Sequence, residues 1–253
     1  GCSWNVSVET FAEGERRDNI GAKQVPSIGV YTVYINSTRE PFSDPRVRRA
    51  MHLALNRQAL IGAFRTQESI ALTRWISHAS PFAMAPEEIA QLPGYRAEKD
   101  EDIATAQALM AEAGYADGIS GVELLAASVA PHAEILAPAI QDLLRSSINI
   151  NADIRVTERA LLFEEEAAGN FDLILDTPTI SISDFSAIAN LYFKTDASQN
   201  FGGYSNAEFD ELAEAADLEL DPEKRTEIFR QIEDVLDEDP PWLLIGWTFH
   251  LPM

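Results

Sequence analysis

Apolar residues change their period several times along the chain, and each change marks an element. Residues 29–35, "GVYTVYI", are β-branched and aromatic and predict a strand. Asp44-Pro45 then supplies a capping side chain and a proline suited to a first helical position. Val47, Ala50, Met51, Ala54 and Ile61 share one face, flanked by Leu53, Leu60 and Phe64, so the spacing predicts one amphipathic helix over 45–64. Residues 72–98 read as loop. Ile103, Ala106, Leu109, Met110 and Ala113 predict the next helix, with Gly114 placed to close it. "GVELLAA" predicts a strand, and Leu136, Ile140, Leu143 and Leu144 a helix over 132–146, which Pro138 either kinks or begins. Ile148, Ile150, Ala152, Ile154 and Val156 alternate with period two, as in a strand. A helix over 160–168 and a strand over 171–177 continue the rhythm. Strands alternating with helices predict an α/β lobe whose sheet is flanked by helices.

Past residue 178 the pattern gives way to "PTISISDFSAIANLYFKTDASQNFGGYS", a turn-rich stretch of a length that usually serves function. Ser205-Asn206-Ala207-Glu208 reads as a capping box opening a helix over 206–218, with Phe209, Leu212, Ala213 and Ala216 inward. Asp221-Pro222 repeats the earlier Asp-Pro start, and Ile228, Phe229, Ile232, Val235 and Leu236 predict a helix over 222–237. "PPWLLIGWTFHLPM" predicts a final apolar strand, whereas residues 1–28 are polar and weakly periodic.

Charge narrows the functions. The 253 residues include 41 acidic and 19 basic ones, a formal net charge of −22. Such a surface repels nucleic-acid phosphates and anionic membrane surfaces, so neither is an expected partner. The single cysteine, Cys2, excludes an intrachain disulfide, and "GC" at the start echoes the end of a lipoprotein signal or is an ordinary thiol. No apolar run approaches the ~18 residues that span a bilayer. There is no P-loop, Gly-x-Gly-x-x-Gly, Gly-x-Ser-x-Gly or His-Glu-x-x-His, and the four histidines lack metal-ligand spacing. No enzyme activity, cofactor or metal is therefore expected. The run 164–166, "EEE", reads as a solvated helix face. What remains are polar groups in loops after strands, where α/β lobes bind ligands. These are Trp75 and His78 in one loop, and Thr179, Ser181, Ser183 and Asp184 in another. Asp184 either meets a ligand cation or caps the "FSAIANLYF" segment, and Trp75 either stacks on a ligand or packs inside.

Three arginines crowd the start of the helix in "PFSDPRVRRAMHLALNRQALI", the end least suited to positive charge. Asp44, four residues before Arg48, gives the favourable order for a compensating pair. The stretch also resembles the signature of the family 5 solute-binding proteins of ABC importers, through Asn36, Pro41, Phe42, Asp44, Arg46, Val47, Arg48, Ala50, Ala54 and Arg57. "DIATAQALMAEAGYADG", "APAIQDLLRSSINI", "FDLIL" and "YSNAEFDELAEAA" are similar to later family segments in the same order, with Asn149 or a neighbour where a glycine is usual. The resemblance implies a periplasmic-binding-protein-like α/β lobe (type II, cluster C) with a mixed sheet flanked by helices. It implies that residues 29–253 form a C-terminal ligand-binding lobe, truncated at its C-terminal end, with 1–28 crossing over from an N-terminal lobe. It further implies capture of a small-molecule or peptide ligand between two lobes, delivery to ABC permease subunits, a monomer, removal of an export signal and a periplasmic or extracytoplasmic location. The family's loop that bears the amine-recognising aspartate is similar in position to "TISISDFS", where Ser181 stands at its first aspartate, Asp184 at its second and Phe185 at its proline. The alternative is a ligand-sensing domain of a regulator built on the same fold.

Overall fold

Strand β1 (Val25–Ile35) is buried on both faces: Tyr31, Val33 and Ile35 enter one core, and Val30 and Tyr34 enter another. Double-sided burial is why residues 30–35, "VYTVYI", show no alternation of apolar and polar positions. The structure, a computed structural model, describes residues 10, 13–14, 16–17, 25–63, 68–128, 132–178 and 184–250.

Helix α1 (Pro45–Ala54) follows, its N-terminus capped by Asp44, which accepts from the Arg46 backbone N–H at 2.9 Å. The single helix predicted over 45–64 is two: Leu55 turns extended, and α2 (Arg57–Ala63) starts afresh. Asn56 Oδ1 accepts from the Ala59 N–H at 3.0 Å, while Arg57 is drawn into the interior, where its Nε donates to the Leu244 carbonyl at 2.7 Å. Arg48 does not pair with Asp44, which binds Arg46; it reaches Asp239 and donates to the Phe42 carbonyl at 2.6 Å.

Strand β2 (Glu68–Ala71), the short helix α3 (Pro86–Ile89) and α4 (Asp100–Glu112) lead to β3 (Ile119–Ala127). A wide turn over 132–136 precedes α5 (Ala137–Ile148), so Pro138 marks the start of the regular helix. Asn149 ends it at φ 54°, the left-handed position usually taken by glycine. Then come β4 (Ile150–Thr157), α6 (Arg159–Ala167) and β5 (Leu173–Asp176). Ile148 therefore belongs to α5, and Val156 is 50% exposed rather than inward.

Helix α7 (Phe185–Ile188) runs into a wide turn over 189–193, and α8 (Ala207–Leu218), α9 (Pro222–Glu238) and β6 (Trp242–His250) complete the order. The capping box is shifted: Asn206, not Ser205, caps α8, accepting from the Phe209 N–H at 3.1 Å. Asp221 caps α9 as its Asp-Pro sequence predicts.

The sheet order is β2-β6-β1-β5-β3-β4, with β3 parallel to β4 and β5, and antiparallel pairs elsewhere. α1, α4 and α5 cover one face, and α6 to α9 with Trp75 cover the other. The mixed α/β architecture is the one expected. Because β3, β4 and β5 are parallel, their carboxyl ends share one edge.

Candidate functional site

The carboxyl edge of β5 is where the sheet and α6 build a cavity of about 480 Å³, whose lining includes Tyr34, Arg159, Phe163, Glu166, Asp176 and Tyr192. Each side chain is placed by its element. Register sets Tyr34 opposite Ile174, and Asp176 lies two residues beyond Ile174 on the same face of β5. On α6, Leu162 packs onto the sheet, and Glu166 follows four residues later on the same side. Tyr34 stacks on Trp242 with centroids 4.6 Å apart, and Tyr192 meets that ring edge-on at 5.3 Å, so both phenols are held by packing.

Electrostatically the cavity is unbalanced. Glu166 is 4% and Asp176 2% exposed. Arg159 Nη1 stands 3.4 Å from Asp176 Oδ1, and that oxygen accepts no hydrogen bond. The Glu166 carboxyl has neither a hydrogen bond nor an ion pair among the described residues. Burial, then the adjacent Asp176 charge, push Glu166 from 4.5 up to about 8, with Arg159 pulling the other way. At neutral pH its carboxyl is thus mainly protonated. The same burial and the same two acids raise the Tyr34 and Tyr192 phenols.

Of the residues singled out from the sequence, the described ones, Trp75, His78 and Asp184, do not line this cavity. Thr179, Ser181 and Ser183 lie outside the described residues. Asp184 caps α7, accepting from the Ser186 N–H at 3.0 Å, and faces Arg225 at 3.3 Å. Trp75 is buried, and its indole N–H donates to Asp237 at 2.7 Å. His78 is half-buried with its ring edge against Phe249, 6.0 Å between centroids. The solvated face expected of residues 164–166 holds for Glu164, which is exposed, but Glu166 is inside. Its spacing of four from Leu162 was the available signal.

A second buried polar cluster contrasts with the first. Asp237 accepts from Trp75 Nε1 at 2.7 Å, Tyr95 Oη at 2.8 Å and Arg74 Nε at 2.8 Å. Glu233 accepts from the Ile76 N–H at 3.2 Å and from Arg230 at 2.7 Å. His52 Nε2 lies 3.7 Å from Asp237, and burial holds this imidazole well below its usual range, helped by Arg57, Lys99 and Arg74. These bonds knit the 72–98 loop to α9, with His52 of α1 packed edge-on against Tyr95. They leave a smaller cavity of about 190 Å³.

Residues 3–200 match the family described as bacterial extracellular solute-binding proteins, family 5 Middle. The chain is similar to the probable deoxycholate-binding periplasmic protein YgiS of Escherichia coli, at 26% identity over 222 residues, covering 87% of the chain and 40% of YgiS. It is similar to the periplasmic oligopeptide-binding protein OppA of Salmonella typhimurium, at 23% identity, covering 93% and 42%. It is also similar to the glutathione-binding protein GsiB of Salmonella choleraesuis, at 26% identity, covering 94% and 46%. It thus spans less than half the length of these relatives. The crystal structure of Haemophilus influenzae OppA in complex with RPPGFSPFR shares the fold, with TM-score 0.80 and 18% identity, covering all of this chain (100%) and 49% of that one. The murein tripeptide binding protein MppA in its unliganded open form does so at TM-score 0.77 and 19% identity, covering 97% and 47%.

Proposed function

The chain belongs to the bacterial extracellular solute-binding proteins of family 5, and from that premise we propose that it forms one wall of a ligand cleft in the binding component of an ABC-type importer. In this reading residues 29–253 are the C-terminal lobe of a two-lobed protein, with 1–28 leading in from the other lobe. A peptide or similar small solute is captured as the lobes close about a hinge, and the closed form is presented to the permease subunits. The location would be extracytoplasmic, after removal of an export signal, and the protein a monomer. The observation that carries the reading is the cavity at the carboxyl edge of β5, whose lining includes Glu166, with no hydrogen bond to its carboxyl among the described residues, and Asp176, whose buried Oδ1 accepts none. Thr179, Ser181 and Ser183 stay candidate ligand-binding residues of this reading. Trp75 and Asp184 serve the fold rather than the ligand, since each is engaged within the lobe. The regulator alternative has no observation in its favour.

Isothermal titration of the full-length protein against peptides, metal chelates and sugars tests the proposal. Saturable binding of peptides supports it, and no binding from any class refutes it.

A further inference from the structure

Glu166 and Asp176 are two carboxyl groups with one cationic neighbour, Arg159, and the cavity between them is walled by aromatic rings. A buried carboxyl without a donor is costly, and native structures keep few such groups. Here two acids share that condition on one cavity: Asp176 Oδ1 is fully buried and accepts no hydrogen bond, and Glu166 has no partner at all among the described residues. Arg159 is the one N–H group carrying positive charge among the described lining residues, against two acids. A hydrated metal ion suits it poorly, because the lining supplies phenols and apolar rings rather than a third carboxylate or a histidine.

Resting on the solute-binding reading, we propose that Glu166 and Asp176 receive a cationic N–H group of the solute, an ammonium or guanidinium on an apolar stem. The stem lies against Phe163 and Tyr192, and the head donates to both carboxyl groups. Charge then balances. Before binding, Asp176 offsets Arg159 and Glu166 is a neutral acid. On binding, Glu166 loses its proton to the solvent, leaving two carboxylates against Arg159 and the solute cation. No other bond is made or broken. The titratable and charged groups facing Glu166 are Asp176 on β5, Arg159 on its own helix, Tyr34 on β1 and Tyr192 in the turn after α7. Both phenols stay neutral in the relevant range, so the proton released is that of Glu166. Because release is required below about pH 8, affinity for the cation rises with pH, by up to about tenfold per unit, and levels off near 8.

The test uses the full-length protein carrying ¹³C-glutamate, with the Glu166 resonance assigned by its loss in Glu166→Gln. In the free protein Glu166 is expected to titrate near 8. Adding n-butylammonium should lower that midpoint by about one unit or more, while tetramethylammonium, which has no N–H to donate, leaves it in place. In parallel, calorimetry compares a lysine-containing tripeptide with its norleucine analogue. The lysine peptide should bind about tenfold more tightly, and Asp176→Asn should abolish that preference. A midpoint unmoved by butylammonium, or moved equally by tetramethylammonium, overturns the proposal. So does a free-protein Glu166 already ionised at about pH 6, which would mean that a cation from elsewhere in the full-length protein fills the site. Equal binding of the two peptides with an unmoved midpoint refutes this inference and leaves the solute-binding reading standing. A midpoint that moves while no peptide binds supports the cation site and refutes the peptide reading.

Discussion

Asp237 and Glu166 are both acids drawn toward the interior, yet their surroundings differ in kind. Asp237 accepts from three donors on two separate segments and lies beside a guanidinium. Glu166 accepts from nothing among the described residues and borders a cavity. The first arrangement offsets part of the desolvation of a buried charge, which still pushes the Asp237 carboxyl up, and its hydrogen bonds hold elements together. The second leaves the cost unmet, and a group kept under that strain at the ligand edge of an α/β sheet is a candidate for binding. Burial of an acid therefore says little by itself; the count of its donors separates scaffold from site.

The contrast can be broken most forcefully at Asp237. Asp237→Ala strands the buried Tyr95 and Trp75 donors, removes one of the three acids around Arg74 and should cost about 3–5 kcal/mol in urea unfolding. Arg48→Ala removes the pair with Asp239 and donors to two carbonyls, and should cost about 2–3 kcal/mol while leaving solute affinity unchanged. Glu166→Gln should instead stabilise, by about 2 kcal/mol at pH 8. The sign follows from the raised value. Between 4.5 and about 8 the native state keeps a proton that the unfolded chain has released, so wild-type stability falls as pH rises through that window. The variant lacks that slope, and thermal melts at several pH values will show the two curves diverging upward in pH. His52 has the opposite sign: held neutral when folded, it makes the network lose stability as pH falls below its ordinary 6.5. The smallest effect is at Asp184. Asp184→Ala removes a cap from a one-turn helix and an exposed pair with Arg225, at a cost of about 0.5–1 kcal/mol.

Much of the fold was legible because local chemistry decides it. Both Asp-Pro starts cap helices, Pro138 begins one, and Asn149 takes the left-handed turn. The break after Ala54 was hidden because its cause is distant: Arg57 leaves the helix surface to bond a carbonyl of β6, 187 residues away. Arg48 misled for the same reason. Its partner Asp239 lies 191 residues on, whereas sequence spacing offered only Asp44. The site was less legible than the fold. Trp75 and Asp184 are polar-tipped residues in loops, which is as far as sequence goes, and their partners Asp237 and Arg225 are visible only in three dimensions. Glu166 was masked by its exposed neighbour Glu164 in one acidic run, though the helical period from Leu162 points it inward.

Urea unfolding of the full-length protein at pH 8, comparing wild type, Asp237→Asn and Glu166→Gln, tests the distinction most directly. Replacing the acid that has donors should lower the midpoint, and replacing the one that has none should raise it. A midpoint for Glu166→Gln that falls as far as that of Asp237→Asn would contradict the account, because it would make Glu166 a structural residue like Asp237.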